Sequence, residues 1–119
     1  MNNEQQNYEK LEIWQEAVEL ITKIYQITKR FPQEERFGII DQLRRAMVSV
    51  ALNIAEGQGR GTKAEFRRFL YIALGSLNEV ATLLVISVKL RMLSQEEGNE
   101  LRSHLLILMR RTRSLITKL

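Results

Sequence analysis

The sequence predicts an all-α fold, an antiparallel up-and-down four-helix bundle. Three observations carry that reading. Apolar residues recur at three- and four-residue steps through four long stretches. The stretches are separated by short breakers: Phe31-Pro32, the glycine run from Gly57 to Gly61, and Met92-Leu93 before Ser94. Links this short join neighbouring antiparallel helices. A chain of 119 residues is expected to form one domain, with residues 1–8 a flexible terminus and 9–119 the bundle.

The first helix is expected from Tyr8 or Leu11 to Arg30. Leu11, Trp14, Val18, Ile21, Tyr25 and Thr28 make its stripe, widened by Ala17, Ile24 and Ile27. Pro32 stops it, because the residue before a proline avoids helical angles. Phe31 and Phe37 are expected to plug the bundle end. The second helix runs from Ile39 to Glu56 on a seam of Ile40, Leu43, Met47, Val50 and Ile54. Its apolar surface is wide enough to imply a central helix or one covered by another subunit. A polar stripe of Gln42, Arg45, Ser49, Asn53 and Glu56 shares one side, suited to inter-helix hydrogen bonds or to solvent.

The corner Gly57-Gln58-Gly59-Arg60-Gly61 follows, where glycines supply the angles of a helix end and a tight bend. Thr62 and Glu65 form a capping box for the third helix, which runs to Leu90 or Arg91. Gly75 interrupts its apolar pattern. A mid-helix glycine costs about 1 kcal/mol against alanine, so a close helix approach beside Ala73 and Ser76 is expected there. Ser94 and Glu97 form a second capping box, and the fourth helix reaches nearly to Leu119 on Leu101, Leu105, Leu108, Thr112, Leu115 and Leu119.

Composition excludes several function classes. No cysteine is present, which removes disulfide scaffolds, thiol catalysis and cysteine zinc sites. The N-terminus lacks signal-peptide order and no uninterrupted apolar run is of membrane-spanning length, so a cytoplasmic location without membrane contact is expected. His104 is the single histidine, and no Glu-x-x-His pair accompanies it, so no metal or other cofactor is expected. Glu56 and Glu79 are expected to bond between helices or to cap Arg44 or Arg45. No hydrolytic constellation stands out, and no catalytic residue is assigned.

The net charge is +4, unevenly placed. Residues 1–43 carry five bases and eight acids, whereas residues 102–119 carry five bases and no acid. Such clustering suits a nucleic-acid backbone, RNA or DNA, as well as plain solubility. Arg60, Lys63, Arg67 and Arg68 around the glycine corner, then Arg110, Arg111 and Arg113, are the candidate contacts. The amides opening the third helix, with Arg60 and Lys63, suit a phosphate. The glycine run is otherwise a structural corner, since no strand precedes it and the spacing of a phosphate-binding loop is absent. Trp14, Tyr25 and Tyr71 are expected in core or interface, with base stacking the alternative. Trp14, Asn53, Glu56, Gly57, Gly59, Gly61, Thr62, Glu65, Gly75, Glu79, Ser94 and Glu97 are read as structural.

LEIWQEA at 11–17, the stretch FPQEERFGIIDQLRRAMVSVALNIAEGQGR at 31–60 and EFRRFLYIALGSLNEVATLL at 65–84 occur in order. In these the chain resembles the four-helix-bundle proteins encoded in intervening sequences of bacterial 23S rRNA genes. That family is similar to the accessory variability determinant of diversity-generating retroelements. The resemblance implies a ring-like homopentamer and a basic surface suited to nucleic acid. In the retroelement relatives the bundle partners a reverse transcriptase; for this chain a protein partner of that kind is the alternative to direct nucleic-acid contact. No catalytic residue is implied.

Overall fold

The computed structural model describes Tyr8 and residues 11–119. The expected flexible terminus at 1–8 therefore lies, except for Tyr8, outside the described residues. Among the described residues four helices follow in order: α1 (Glu12–Thr28), α2 (Ile39–Gln58), α3 (Lys63–Lys89) and α4 (Gln95–Lys118), with a 3-10 turn at Gln33–Glu35 before α2. No strand occurs among the described residues. Each helix packs on its neighbour in sequence, and α4 closes the bundle against α1.

The core is built from one face of each helix. Ile13, Ala17, Leu20 and Ile24 meet Leu43, Met47, Val50 and Ile54, and against them lie Leu70, Leu77, Val80, Leu84, Leu101, Leu105 and Leu108. Burying one such aliphatic side chain contributes about 1.5–3 kcal/mol. Three polar side chains enter this core, and each is satisfied on its own helix. The hydroxyls of Thr28, Ser87 and Thr112 donate to the carbonyls of Ile24, Leu83 and Leu108 at 2.7, 2.8 and 2.8 Å. By length and composition α3 is apolar enough to cross a membrane, but here it is a bundle helix burying Leu70, Leu77, Val80 and Leu84.

Several expectations need correcting. The buried stripe of α1 is Ile13, Ala17, Leu20, Ile24 and Thr28. Trp14, Val18 and Ile21 are half-buried at its edge, and Tyr25 is exposed. Trp14 meets the Tyr8 ring edge-on, with centroids 5.3 Å apart. Phe31 plugs the bundle as expected, at 5% exposure, whereas Phe37 stands out at 86% with the Arg36 guanidinium over its ring.

The three corner glycines do three different things. Gly57 is still helical and buried; a Cβ there would meet the Phe69 Cβ at 2.6 Å, so it permits the close approach of α2 and α3. Gly59 ends α2 with ordinary right-handed angles. Only Gly61 uses a left-handed angle, at φ 87°. Gly75 contradicts its expected role: it is exposed, and a Cβ there would meet nothing within 4 Å. Close approach occurs instead at Gly98, where a Cβ would meet Val88 Cγ2 at 2.6 Å and so pins the register of α3 against α4.

The ends of α3 and α4 explain their lengths. Thr62 accepts a hydrogen bond from the Glu65 amide at 3.1 Å, but the Glu65 carboxylate turns to Arg68, so half of the expected box forms. Ser94 and Glu97 form theirs in full. At the other end of α3 the amides of Arg91 and Met92 close on the carbonyls of Val88 and Ser87, with Arg91 left-handed at φ 63°. That is a Schellman closure made without glycine.

Candidate nucleic-acid interface

Cations bind a phosphate backbone only where they are not already spent on acids. Partnering therefore sorts the candidate residues. Arg60 pairs with Glu56 at 3.0 Å and Arg68 with Glu65 at 3.1 Å. The two guanidiniums also lie over the Phe69 ring, at 5.0 and 4.5 Å from its centroid. The Arg68 hydrogen bond, with the charges of Arg68 and Arg60 nearby, holds the Glu65 carboxyl below the usual range. The same bond raises Arg68. Arg111 turns to α1, where it donates to Glu16. These three arginines are structural before they are anything else.

Lys63, Arg67, Arg110 and Arg113 make no ion pair among the described residues. Lys89 and Arg102 are among the further cations without an ion pair, and neither was a sequence candidate. They line one small cleft between α3 and α4, with Gln95 and Asn99. Eleven residues make almost a whole number of helical turns. Arg67, Asn78 and Lys89 therefore fall on one line of α3, and Arg102 and Arg113 on one line of α4. The Gly98–Val88 contact and the shared cleft turn those two lines toward the same side of the bundle. Arg110 flanks them, and Tyr71 (60% exposed) and Leu106 (52%) lie between.

Glu96, exposed in the first turn of α4 next to Gln95, borders that surface. On α3, Glu65 and Glu79 are turned toward the α2 side, and on α4, Glu97 and Glu100 line the α1 seam. Glu12, Glu16 and Glu19 lie on α1 and Asp41 on α2. Glu79 is exposed and pairs with nothing among the described residues; neither it nor Glu56 caps Arg44 or Arg45 as expected. Arg45 pairs with Asp41 at 3.2 Å, while Arg44 donates to Thr28 Oγ1 at 2.9 Å and lies 4.4 Å over the Tyr25 ring. The polar stripe of α2 bonds across to α3 at one place. Ser49 and Ser76 hydroxyls meet at 3.0 Å, and Asn53 Nδ2 donates to Ser49 Oγ at 3.0 Å.

Other clefts lie along the α1–α4 seam. The one lined by Lys23, Gln26, Arg30, Glu97, Glu100 and His104 mixes acids with bases, which does not suit a polyanion. Polar bridges span this seam. Arg30 pairs with Glu97 at 2.5 Å, and Lys23 Nζ lies 3.0 Å from His104 Nδ1. An ammonium only donates, so the imidazole accepts at Nδ1 and carries its proton on Nε2. The Ser94 amide, Arg30 and the Ser94 hydroxyl together hold the Glu97 carboxyl below its usual range. Among the described residues no group of three or more metal-ligating side chains comes together.

A solved structure with the same architecture is that of a protein of unknown function from the S23 ribosomal protein family of Bacteroides thetaiotaomicron. It superposes with a TM-score of 0.78 at 20% identity, over 87% of this chain and 97% of that one. At that identity the likeness speaks for the fold alone. Among curated proteins none matches the chain. The model of the 23S rRNA-intervening sequence protein family matches residues 9–114, nearly the whole bundle, so the chain belongs to that family.

Proposed function

We propose that the protein is a non-enzymatic nucleic-acid-binding bundle that grips the phosphate backbone with its α3–α4 face. One observation carries the reading: Arg67, Lys89, Arg102, Arg110 and Arg113, free of ion pairs among the described residues, gather along the facing edges of α3 and α4, with Glu96 at their border. Backbone contacts of this kind position a nucleic acid without reading its sequence. The test is a titration with RNA and DNA over a range of salt. Arg67→Glu, Arg102→Glu and Arg113→Glu together are expected to weaken binding and to flatten its log–log salt dependence by about 0.7–0.9 for each phosphate no longer neutralised. Reversing Arg60 and Arg68 is expected to do less. Unchanged binding by the folded triple variant would remove the assignment.

A second reading rests on a different surface. Leu52 (63% exposed), Ile72 (41%) and Ile86 (39%) leave apolar area on the outer side of α2 and α3. Self-association into a homo-oligomer, with the pentameric ring of the resembling family as its expected form, would cover it. In that reading the bundle is a structural or adaptor module, and a protein partner such as a reverse transcriptase, rather than this chain, contacts the nucleic acid.

A further inference from the structure

We infer that the α3–α4 face takes single-stranded rather than duplex nucleic acid, with Tyr71 as the platform on which an unpaired base stacks. The inference rests on the backbone-binding reading above and adds the class of ligand to it. A cation-only surface gives no preference for single strands, since a duplex offers phosphates at higher density. Tyr71 supplies one. It sits one helical turn from Arg67 on α3, with 60% of its surface exposed. Counting equal steps from the Gly98–Val88 contact brings Arg113 level with Ala73, beside the turn that carries Tyr71. The ring is therefore flanked along the face by Arg67 and across it by Arg113.

Other exposed or half-exposed rings of the bundle have company on the protein. The Tyr25 ring lies under Arg44, the Phe37 ring under Arg36, and Trp14 against Tyr8. Tyr71 has none of these contacts. In a duplex the base faces are consumed by stacking inside the helix, so a side-on ring meets only sugar and phosphate. A single strand presents bases that stack on an aromatic ring while its phosphates reach flanking cations, and every base has such a face, so no sequence is read. Farther along the surface, Asn78, Asn99 and Gln95 supply exposed amides that hydrogen-bond to sugars or base edges without selecting one sequence.

The test is fluorescence anisotropy of the full chain with a labelled oligonucleotide of about 15 nucleotides. It is run as single-stranded RNA, as DNA of the same sequence, and as the blunt DNA duplex. Tyr71→Ala is expected to weaken both single strands about tenfold, the worth of one base–aromatic stack, and to leave the duplex unchanged. Tyr71→Phe, which keeps the ring, is expected to bind as the parent does. A larger loss for RNA than for DNA would name RNA as the ligand; equal losses would name single strands of either kind. Wild-type affinity in Tyr71→Ala, or an equal loss on the duplex, would overturn the inference while the charge-reversal result kept the backbone reading alive. No binding by the parent protein to any of the three would overturn both.

Discussion

Gly75 shows how a single residue can mislead a sequence. Its place in an apolar run suggests a tight helix crossing, yet it faces open space. The crossing the pattern asked for is at Gly98, a residue in a polar first turn that no apolar periodicity marks. The residue-scale prediction follows from the empty surroundings. Gly75→Ala is expected to stabilise the fold by about 1 kcal/mol, because the chain loses freedom mainly when unfolded and the methyl clashes with nothing. Urea unfolding followed by circular dichroism measures it; a lower midpoint would mean that the position is covered by something other than this chain. The free cations teach the complementary lesson. Arg68 pairs with Glu65 one helical step away, while Arg60, beyond the end of α2, turns back to Glu56. Pairing of Arg111 with Glu16 was not legible in the sequence, because nothing local relates residues so far apart in the chain.

Among the elements, α2, α3 and α4 end within one or two residues of where breakers and caps place them. The stripe of α1 is shifted by one residue. The reason is physical. Two apolar stripes run side by side on α1, one of Trp14, Val18 and Ile21 and one of Ile13, Ala17, Leu20 and Ile24. Periodicity alone cannot rank them. Burial goes to the one whose aliphatic side chains fit between α2 and α4, and the large rings of Trp14 and Tyr25 are left at the edge. The α1–α4 seam also gives the bundle a pH dependence. Because the folded Glu97 carboxyl titrates below its usual range, its contribution is full above the unfolded value and is lost as pH falls through the folded one. Glu97→Gln is expected to be less stable than the parent at neutral pH and to converge on it in acid. Unfolding curves at both pH values check this; a constant gap would assign the cost to lost capping geometry rather than to charge.

For the molecule as a whole, the family and the architecture were legible because long motifs and four amphipathic helices agree. The functional face was only partly legible. Arg67, Arg110 and Arg113 stand in or beside arginine pairs and Lys63 at the opening of α3, whereas Lys89 and Arg102 are lone bases that only whole-turn spacing ties to them. The exposed Leu52, Ile72 and Ile86 carry the prediction at this scale. The parent is expected to sediment as an oligomer at micromolar concentration, and Leu52→Glu with Ile72→Glu to shift it toward the monomer by burying charge in the contact. A parent that sediments as a monomer would discard the assembly reading and leave the backbone reading standing.

The unpaired bases Arg67, Lys89, Arg102, Arg110 and Arg113 gather on the α3–α4 side while Glu12 and Glu19 lie on α1, so charge is unevenly spread over the bundle. Near a polyanion such a body feels a torque before it feels a contact. On the backbone-binding reading it would swing its α3–α4 side forward while still about one Debye length away, 8–10 Å in physiological salt. Correct orientation is then part of the approach, and added salt slows arrival before it loosens the hold.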